Sequence, residues 1–153
     1  MKNPFILLTI LVALALQFQS CEKKDAIVTT TNGSPGVLSA TATTLVLQKT
    51  SAADTAKVIR FNFTKADYGF SSVVTNVIQI DKTSDNWLSP SASTLGANVL
   101  SQGYSTADLN SLLKKLGVVA GVATPIQVRI MYSASTYIKP VYSNTIMATV
   151  TTY

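Results

Sequence analysis

IQVRIMY, residues 126–132, carries the clearest fold signal in the chain. Every second side chain of this stretch is apolar or aromatic: Ile126, Val128, Ile130 and Tyr132. The side chains between them are Gln127, Arg129 and Met131. Alternation with a period of two predicts a strand with one buried face and one solvated face, which is typical of antiparallel sheets.

The same alternation recurs along most of the chain after residue 37. Further strands are expected at residues 44–48, 59–63, 74–80 and 145–152. In the third of these we expect Ile78 and Ile80 to face inward, and Gln79 and Asp81 to face outward. Turn-rich segments separate the strands, and several short strands spaced in this way predict an antiparallel β-sandwich.

One short helix is expected within this β pattern, near residues 105–116. Ser105 and Asp108 have capping-box spacing, and Gly117 is a ready stop. Leucines at helical spacing give the segment one apolar face: Leu109, Leu112, Leu113 and Leu116. We expect this helix to cross over from an edge strand near residues 95–100 to the strand at 126.

The amino-terminal segment has the pattern of a secretion signal. Lys2 precedes an apolar run over residues 5–16, which is too short to span a bilayer. Cys21, the only cysteine, follows in the position of the lipid acceptor of a bacterial lipoprotein. We therefore predict a signal peptide over residues 1–20 and lipid attachment at Cys21. An ordinary cleaved signal that leaves a free thiol is the alternative.

Residues 21–36 are charged at first and then rich in Thr, Asn, Gly, Ser and Pro. Such a segment buries little apolar surface, so we expect a flexible tether that holds a single domain, residues 37–153, away from the membrane. The charged cluster behind Cys21 is either an export signal towards the outer face of the outer membrane or a soluble linker.

Composition excludes several classes of function. The chain of 153 residues has no histidine, so we expect no metal site, no cofactor and no histidine-dependent nucleophile. The net charge of +5 is scattered, which argues against nucleic acid as a partner. Asp81 and Asp85 are the pair of carboxylates to consider for a glycosidase, which needs two such groups facing each other across a cleft. In a turn after a strand they are expected instead to cap backbone amides or to face water. We assign no catalytic residue and predict that the protein is not an enzyme.

A series of motifs in a fixed order resembles a known family. The motifs are TLVL at 44–47, RFNFT at 60–64, DYGF at 67–70, VIQID at 77–81 and ATVT at 148–151. Together with Cys21 and the late helix, they resemble the N-terminal domain of SusE-type outer-membrane lipoproteins of Bacteroidetes. The resemblance implies an all-β, immunoglobulin-like sandwich at the outer membrane, in a glycan-uptake complex whose ligand is starch or a related glucan.

The sequence departs from that family in two places. Phe63 lies where the family commonly carries a tryptophan, which is a conservative change for packing. Family members usually continue into C-terminal carbohydrate-binding modules, whereas this sequence ends at Tyr153. The resemblance therefore supports location and fold better than it supports sugar binding.

A sugar site on a sandwich requires exposed aromatic rings flanked by polar groups. The candidate rings lie in turn-like or edge segments: Trp87, Tyr104, Tyr137 and Tyr142. Asp85 and Asn86 would contact hydroxyl groups, although a lone tryptophan such as Trp87 commonly plugs the end of a sandwich. Separately, Asp54-Thr55-Ala56 fits an O-glycosylation acceptor of Bacteroidetes, with Thr55 as the modified residue.

Two non-catalytic functions remain open at this point, beside an enzyme that would require Asp81 and Asp85 to converge in a pocket. The first is an accessory lipoprotein that binds glycan, and the second is a structural spacer or docking module with no sugar contact. Exposure of the four candidate rings on one face favours the first function. Burial of all four favours the second, with an exposed apolar patch as the docking surface.

Overall fold

The computed structural model describes residues 33–49, 55–96 and 98–153. The predicted signal peptide, residues 1–20, and the predicted lipid site, Cys21, lie outside these ranges. Within them, no helix combines the length and the apolar character that crossing a membrane requires.

Nine strands and one α-helix make up the regular structure of the described residues. In chain order the elements are β1 (Leu38–Ala40), β2 (Thr44–Val46), β3 (Lys57–Phe63), β4 (Thr75–Lys82), β5 (Ser91–Leu95), β6 (Ser101–Ser105), α1 (Thr106–Lys115), β7 (Ala123–Ser133), β8 (Val141–Tyr142) and β9 (Ile146–Thr151). The strands predicted from alternation are confirmed, with ends that differ by a few residues.

The strands form two sheets. The smaller sheet has the order β1-β3-β6, and the larger has the order β2-β9-β7-β4-β5, with β8 paired to β7. All pairs are antiparallel except β2 with β9. Taking β1, β3, β4, β6, β7 and β9 as strands A, B, C, E, F and G, the sheets are A-B-E and C-F-G, the division found in the immunoglobulin fold. The predicted immunoglobulin-like sandwich is confirmed.

The core lies between the inner faces of the two sheets. The apolar side chains predicted to face inward on β7 are buried, and Ile126, Val128 and Ile130 have almost no exposed surface. On β3, Ile59, Phe61 and Phe63 are buried in the same core. An aromatic pair joins the two sheets: the Phe63 ring of β3 and the Tyr132 ring of β7 meet edge to face, with centroids 6.4 Å apart. Burial of this apolar surface is the main stabilising contribution to the fold.

Helix α1 begins as the sequence predicts. The Ser105 hydroxyl accepts the backbone N–H of Asp108 at 3.2 Å and donates to its carboxylate at 2.7 Å. These bonds satisfy an N-terminal amide that the helix leaves unpaired. Leu109 and Leu113 are buried in the core. Gly117, with φ of 76°, follows the C-cap residue Leu116.

The strand expected near residues 95–100 is wrong. β5 ends at Leu95, and the next strand, β6, begins at Ser101 and leads directly into α1. Between them the Val99 N–H donates to the Gly96 carbonyl at 3.0 Å, and Asn98 has a φ of 68°. This turn interrupts the segment in which the strand was expected.

Residues 33–36, assigned from sequence to the tether, contact the sandwich. Ser34 and Asp67 exchange two backbone hydrogen bonds of 2.7 and 2.9 Å. A Cβ atom on Gly36 would lie 2.0 Å from the carbonyl oxygen of Thr64, so only glycine fits this close approach. The glycines that suggested flexibility here allow backbone packing instead.

Candidate functional site

The structure separates the four candidate aromatic rings. Tyr104 is only 8% exposed and packs edge to face on Phe61 with ring centroids 6.2 Å apart. A buried ring offers no surface to a sugar, so Tyr104 belongs to the core. Tyr137 is 99% exposed in the connection between β7 and β8, where its backbone N–H donates to the Ser135 hydroxyl. Trp87 is half-buried and Tyr142 is 39% exposed.

Arg129 brings Trp87 and Tyr142 together on the outer face of the larger sheet. The guanidinium carbon lies 3.9 Å from the centroid of the Trp87 ring and 4.1 Å from that of the Tyr142 ring. At these distances both rings attract the cation through their negatively charged faces. We call these three side chains the Trp–Arg–Tyr cluster.

The alternation of β7 explains why Arg129 lies on this face. Its neighbours Val128 and Ile130 point into the core, so Arg129 points to the opposite side. It is paired across the ladder with Gln79 of β4, and its Nε–H donates to the Gln79 side-chain carbonyl at 2.7 Å. This bond fixes the orientation of the guanidinium plane.

Tyr142 reaches the cluster because β8 lies beside β7. Tyr142 is the direct cross-strand partner of Met131, which shares the outer face with Arg129. The two-residue strand β8 follows the exposed connection that carries Tyr137. The cluster therefore joins side chains from three separate segments of the chain.

A tight turn after β4 presents Trp87. Residues 83–85 form a single 3₁₀ turn, after which Asn86 and Trp87 both have positive φ, at 49° and 66°. A bulky residue with such a φ costs about 1 to 2 kcal/mol. The buried Asp81 carboxylate holds the turn, because it accepts the N–H of Lys82 and the N–H of Trp87, each at 2.8 Å.

Asp85 caps the same turn. Its carboxylate accepts the Ser89 N–H at 3.1 Å, and its backbone carbonyl accepts the Leu88 N–H at 3.0 Å. The expectation that Asp81 and Asp85 cap backbone amides is confirmed. Gln79 and Asp81 lie on the outer side of β4, as expected, but neither is solvated: Asp81 is 0% exposed and Gln79 is also buried. The turn carrying Trp87 folds back over them.

Arg129 carries its charge in a partly desolvated position. Burial lowers the pKa of the Arg129 guanidinium from its ordinary value, while Tyr142 and Asp81 act in the opposite direction. An arginine in a protein remains protonated even where burial lowers its pKa, so the cluster presents a fixed positive charge beside two rings.

A cavity elsewhere on the surface gives no comparable arrangement. It has a volume of about 240 Å³ and lies between the loop after β3 and the turn before β6, and its walls include Lys65, Val73 and Asn98. It has no aromatic or acidic lining residue. Within the described ranges, no group of His, Cys, Asp or Glu side chains is positioned to hold a metal ion.

The possible O-glycosylation residue Thr55 is exposed, just before β3. Asp54, the first residue of that motif, lies outside the described residues. Modification of Thr55 therefore stays a prediction.

Sequence reasoning missed Arg129 and Gln79. The signal available for Arg129 was its outward position in the strand with the sharpest alternation, where a charged side chain interrupts an otherwise uncharged strand. For Gln79 the sequence offered no such signal, because no pattern predicts that the turn after β4 folds back over the sheet.

Comparison with known proteins identifies the family. A family model described as SusE outer membrane protein matches residues 23–131, from before β1 through most of β7. No curated protein matches the chain. The matched range contains Gln79, Trp87 and Arg129, and it agrees with the resemblance inferred from the order of motifs. The protein thus belongs to the SusE outer membrane protein family, and its location is the outer membrane.

Proposed function

We propose that this protein is a non-catalytic lipoprotein of a system that captures and imports a starch-like polysaccharide, and that the Trp–Arg–Tyr cluster is its glycan-contact surface. Membership of the SusE family supports a role at the outer membrane in a Sus-like system. The observation that carries the binding site is the pair of rings, Trp87 and Tyr142, held around one arginine on the outer face of the sandwich.

Three properties of the cluster support a binding role. Its rings are partly exposed and held in fixed orientations, so little side-chain entropy is lost on contact with a ligand. Asn86, exposed next to Trp87, supplies an amide within reach of sugar hydroxyls. Finally, Trp87 is held in a strained backbone conformation, and such strain clusters at binding sites.

The environment of the carboxylates supports a non-catalytic role. Each of the carboxylates considered for a glycosidase, Asp81 and Asp85, accepts hydrogen bonds from backbone amides of its own turn. A glycosidase needs two carboxyl groups that face each other across the scissile bond, one as an acid and one as a base or nucleophile. A side chain committed to holding a turn is poorly suited to either role.

A docking module is the alternative function. Leu88, directly after Trp87, is 82% exposed, and Met147 of β9 is exposed on the outer side of the larger sheet. Exposed apolar side chains beside a polar cluster also suit a protein partner. In that case the cluster would contribute an arginine and aromatic anchors to a protein interface.

Affinity electrophoresis distinguishes the two functions. Residues 22–153, purified without lipid, are run through gels that contain starch, xylan or no polysaccharide. We expect retardation in the starch gel, abolished by Trp87→Ala and unchanged by Tyr137→Ala, which removes an exposed ring outside the cluster. Unchanged mobility in the starch and xylan gels would reject binding of these neutral polysaccharides and would favour the docking module over a starch-binding protein.

We also propose that Cys21 carries the lipid anchor. Cells that express the full chain are fed a radiolabelled fatty acid, and the membrane fraction is examined for labelled protein. Cys21→Ser removes the residue to which the acyl chains would be attached, so it should abolish both the label and the membrane association. Stable anchoring requires more than one acyl chain on the protein. Protease added to intact cells then tests whether the sandwich is exposed on the outer face of the outer membrane.

A further inference from the structure

The Arg129 guanidinium has unused hydrogen-bond donors that reach solvent. An arginine has five N–H groups, and only the Nε–H of Arg129 has a hydrogen-bond partner in the part of the chain that the structure describes. Within that part, Thr83 Oγ1 is the one buried side-chain polar atom without a partner, so the unpaired terminal nitrogens of Arg129 are not buried. The two terminal nitrogens of Arg129 are therefore accessible to a ligand.

Among the described residues, this cation forms no ion pair at contact distance. The ion pair found among the described residues joins Lys57 and Asp108 at 3.7 Å, on a different part of the surface. Asp81 is near enough to favour the charged form of Arg129, but its two oxygens accept backbone N–H groups. A partly buried charge that has no hydrogen-bonded counter-ion is unfavourable, and an anion bound to its terminal nitrogens would relieve this cost.

The position of the guanidinium limits how a sugar can bind. Since Arg129 already lies over the faces of Trp87 and Tyr142, those ring surfaces are occupied by the cation. A neutral pyranose that stacked on the same surfaces would have to displace it. A planar carboxylate that approaches the terminal nitrogens in the guanidinium plane makes two parallel hydrogen bonds and leaves the stacking intact.

We infer that the Trp–Arg–Tyr cluster selects an acidic glycan, with the carboxylate of a uronic-acid residue bound to the terminal nitrogens of Arg129. This inference rests on the proposed glycan-binding function and adds a preference to it: the cluster binds a polyuronate more tightly than a neutral glucan. The rings orient the arginine and shield it from water, and the arginine supplies the specificity.

Trp87 gives a direct measurement, because it is the only tryptophan in the chain. Its fluorescence is titrated with uronic-acid oligosaccharides of three kinds, oligogalacturonate, oligomannuronate and oligoglucuronate. Each is compared with its methyl ester, which keeps the sugar and removes the charge, and malto-oligosaccharides represent the neutral glucan. We expect at least one uronate to bind tenfold or more tightly than its own ester and than the malto-oligosaccharide.

Variants then locate the charge that the ligand contacts. Arg129→Gln and Arg129→Lys should each weaken uronate binding tenfold or more, because lysine keeps the charge but lacks the planar pair of donors. Arg60→Gln removes the same charge from an exposed position of β3 and should have little effect. The comparison of acid with ester uses the unmodified protein, so it tests the inference even if an Arg129 variant folds poorly.

The outcomes separate the inference from the proposed function. Malto-oligosaccharide binding that equals or exceeds uronate binding would overturn the acidic-ligand inference and keep the glycan-binding function. The same follows if acid and ester bind equally. Equal losses in Arg129→Gln and Arg60→Gln would show a general attraction of charges and would also overturn it. A lack of response to every oligosaccharide would reject both.

Discussion

The two faces of the β4–β7 ladder differ in how they are built, although the same two strands provide both. The inner face carries Ile78 and Ile80 of β4 against Val128 and Ile130 of β7, all essentially fully buried. The outer face carries polar side chains in alternate positions, including a buried carboxylate and a half-buried arginine. Burial is therefore not what separates the two faces. The inner face is held by apolar packing, and the outer face by hydrogen bonds under the Trp–Arg–Tyr cluster.

This difference separates stability from binding within single strands. Adjacent residues such as Ile130 and Arg129 serve different purposes because the side-chain period of a strand is two. A substitution at an inward position should act on the free energy of unfolding. A substitution at the cluster should act on ligand binding, with a smaller effect on stability.

The largest effect is expected from the inner face. Ile130→Ala should lower the free energy of unfolding by about 2 to 5 kcal/mol, because it leaves a cavity in a fully buried site. Met131→Ala, one residue further on the outer face, should cost less than about 1 kcal/mol. Urea denaturation of both variants measures the difference, and similar losses would contradict the distinction between the faces.

The next largest effect tests the buried carboxylate of the outer face. Asp81→Ala should cost about 1 to 3 kcal/mol, since two backbone N–H groups lose their acceptor in a buried position. The fluorescence anisotropy of Trp87 should also fall, because the turn is no longer held. Asp85→Ala, at a less buried position of the same turn, serves as the control and should cost less. If Trp87 were equally immobile in Asp81→Ala, the proposed role of this carboxylate would be wrong.

A smaller, pH-dependent effect is expected at Tyr132. Its hydroxyl donates to the Thr64 carbonyl at 2.9 Å, and burial raises its pKa to about 12 from the usual value of 10.0. The unfolded chain loses this proton near pH 10, whereas the folded chain keeps it until about pH 12, so stability falls between these values. Below pH 10 the unmodified protein should be more stable than Tyr132→Phe by about 0.5 to 1.5 kcal/mol.

Thermal unfolding from pH 8 to pH 12 tests this sign. The difference in Tm between the unmodified protein and Tyr132→Phe should narrow as the pH rises from 10 to 12. A control variant at the exposed ring, Tyr137→Phe, should follow the unmodified protein throughout. A difference that widens with pH would mean that the Tyr132 hydroxyl is not held in its neutral form.

The smallest effect on stability is expected within the cluster itself. Arg129→Gln should cost at most about 1 kcal/mol, the size of a partly exposed cation–π contact. The emission of Trp87 should nevertheless change, since the cation over its ring is removed. Arg60→Gln should leave this emission unchanged. A loss of several kcal/mol in Arg129→Gln would mean that the outer face is structural in the same way as the inner one.

Most of the fold could be predicted from the sequence, because alternation and capping are local properties. The inward residues of β3 and β7, the N-cap Ser105 and the helix α1 follow from spacing alone. The strand expected at residues 95–100 failed because apolar composition cannot distinguish a strand from the turn at Gly96 and Asn98. The contact of residues 33–36 with the sandwich depends on long-range packing that composition does not express.

The candidate site was predicted only in part. Trp87 and Tyr142 were recognised as aromatic residues in surface segments, but Tyr104 belongs to the core. Tyr104 is in the core because it lies in β6 opposite Ile59 of β3, and that pairing is a property of the tertiary structure. The role of Arg129 depends on β8 and on the turn after β4 reaching the same place from distant parts of the sequence.

Chemical-shift mapping by NMR tests the central claim most directly. The isotope-labelled sandwich is titrated with malto-oligosaccharides and with the uronic-acid oligosaccharides, and the side-chain resonances of Arg129 Nε–H and Trp87 Nε1–H are followed. If the outer face binds glycan, these two signals shift first and saturate together, while the resonances of residues in β1, β3 and β6 do not shift. Shifts confined to the smaller sheet, or no shift with any oligosaccharide, would contradict the assignment of binding to the Trp–Arg–Tyr cluster.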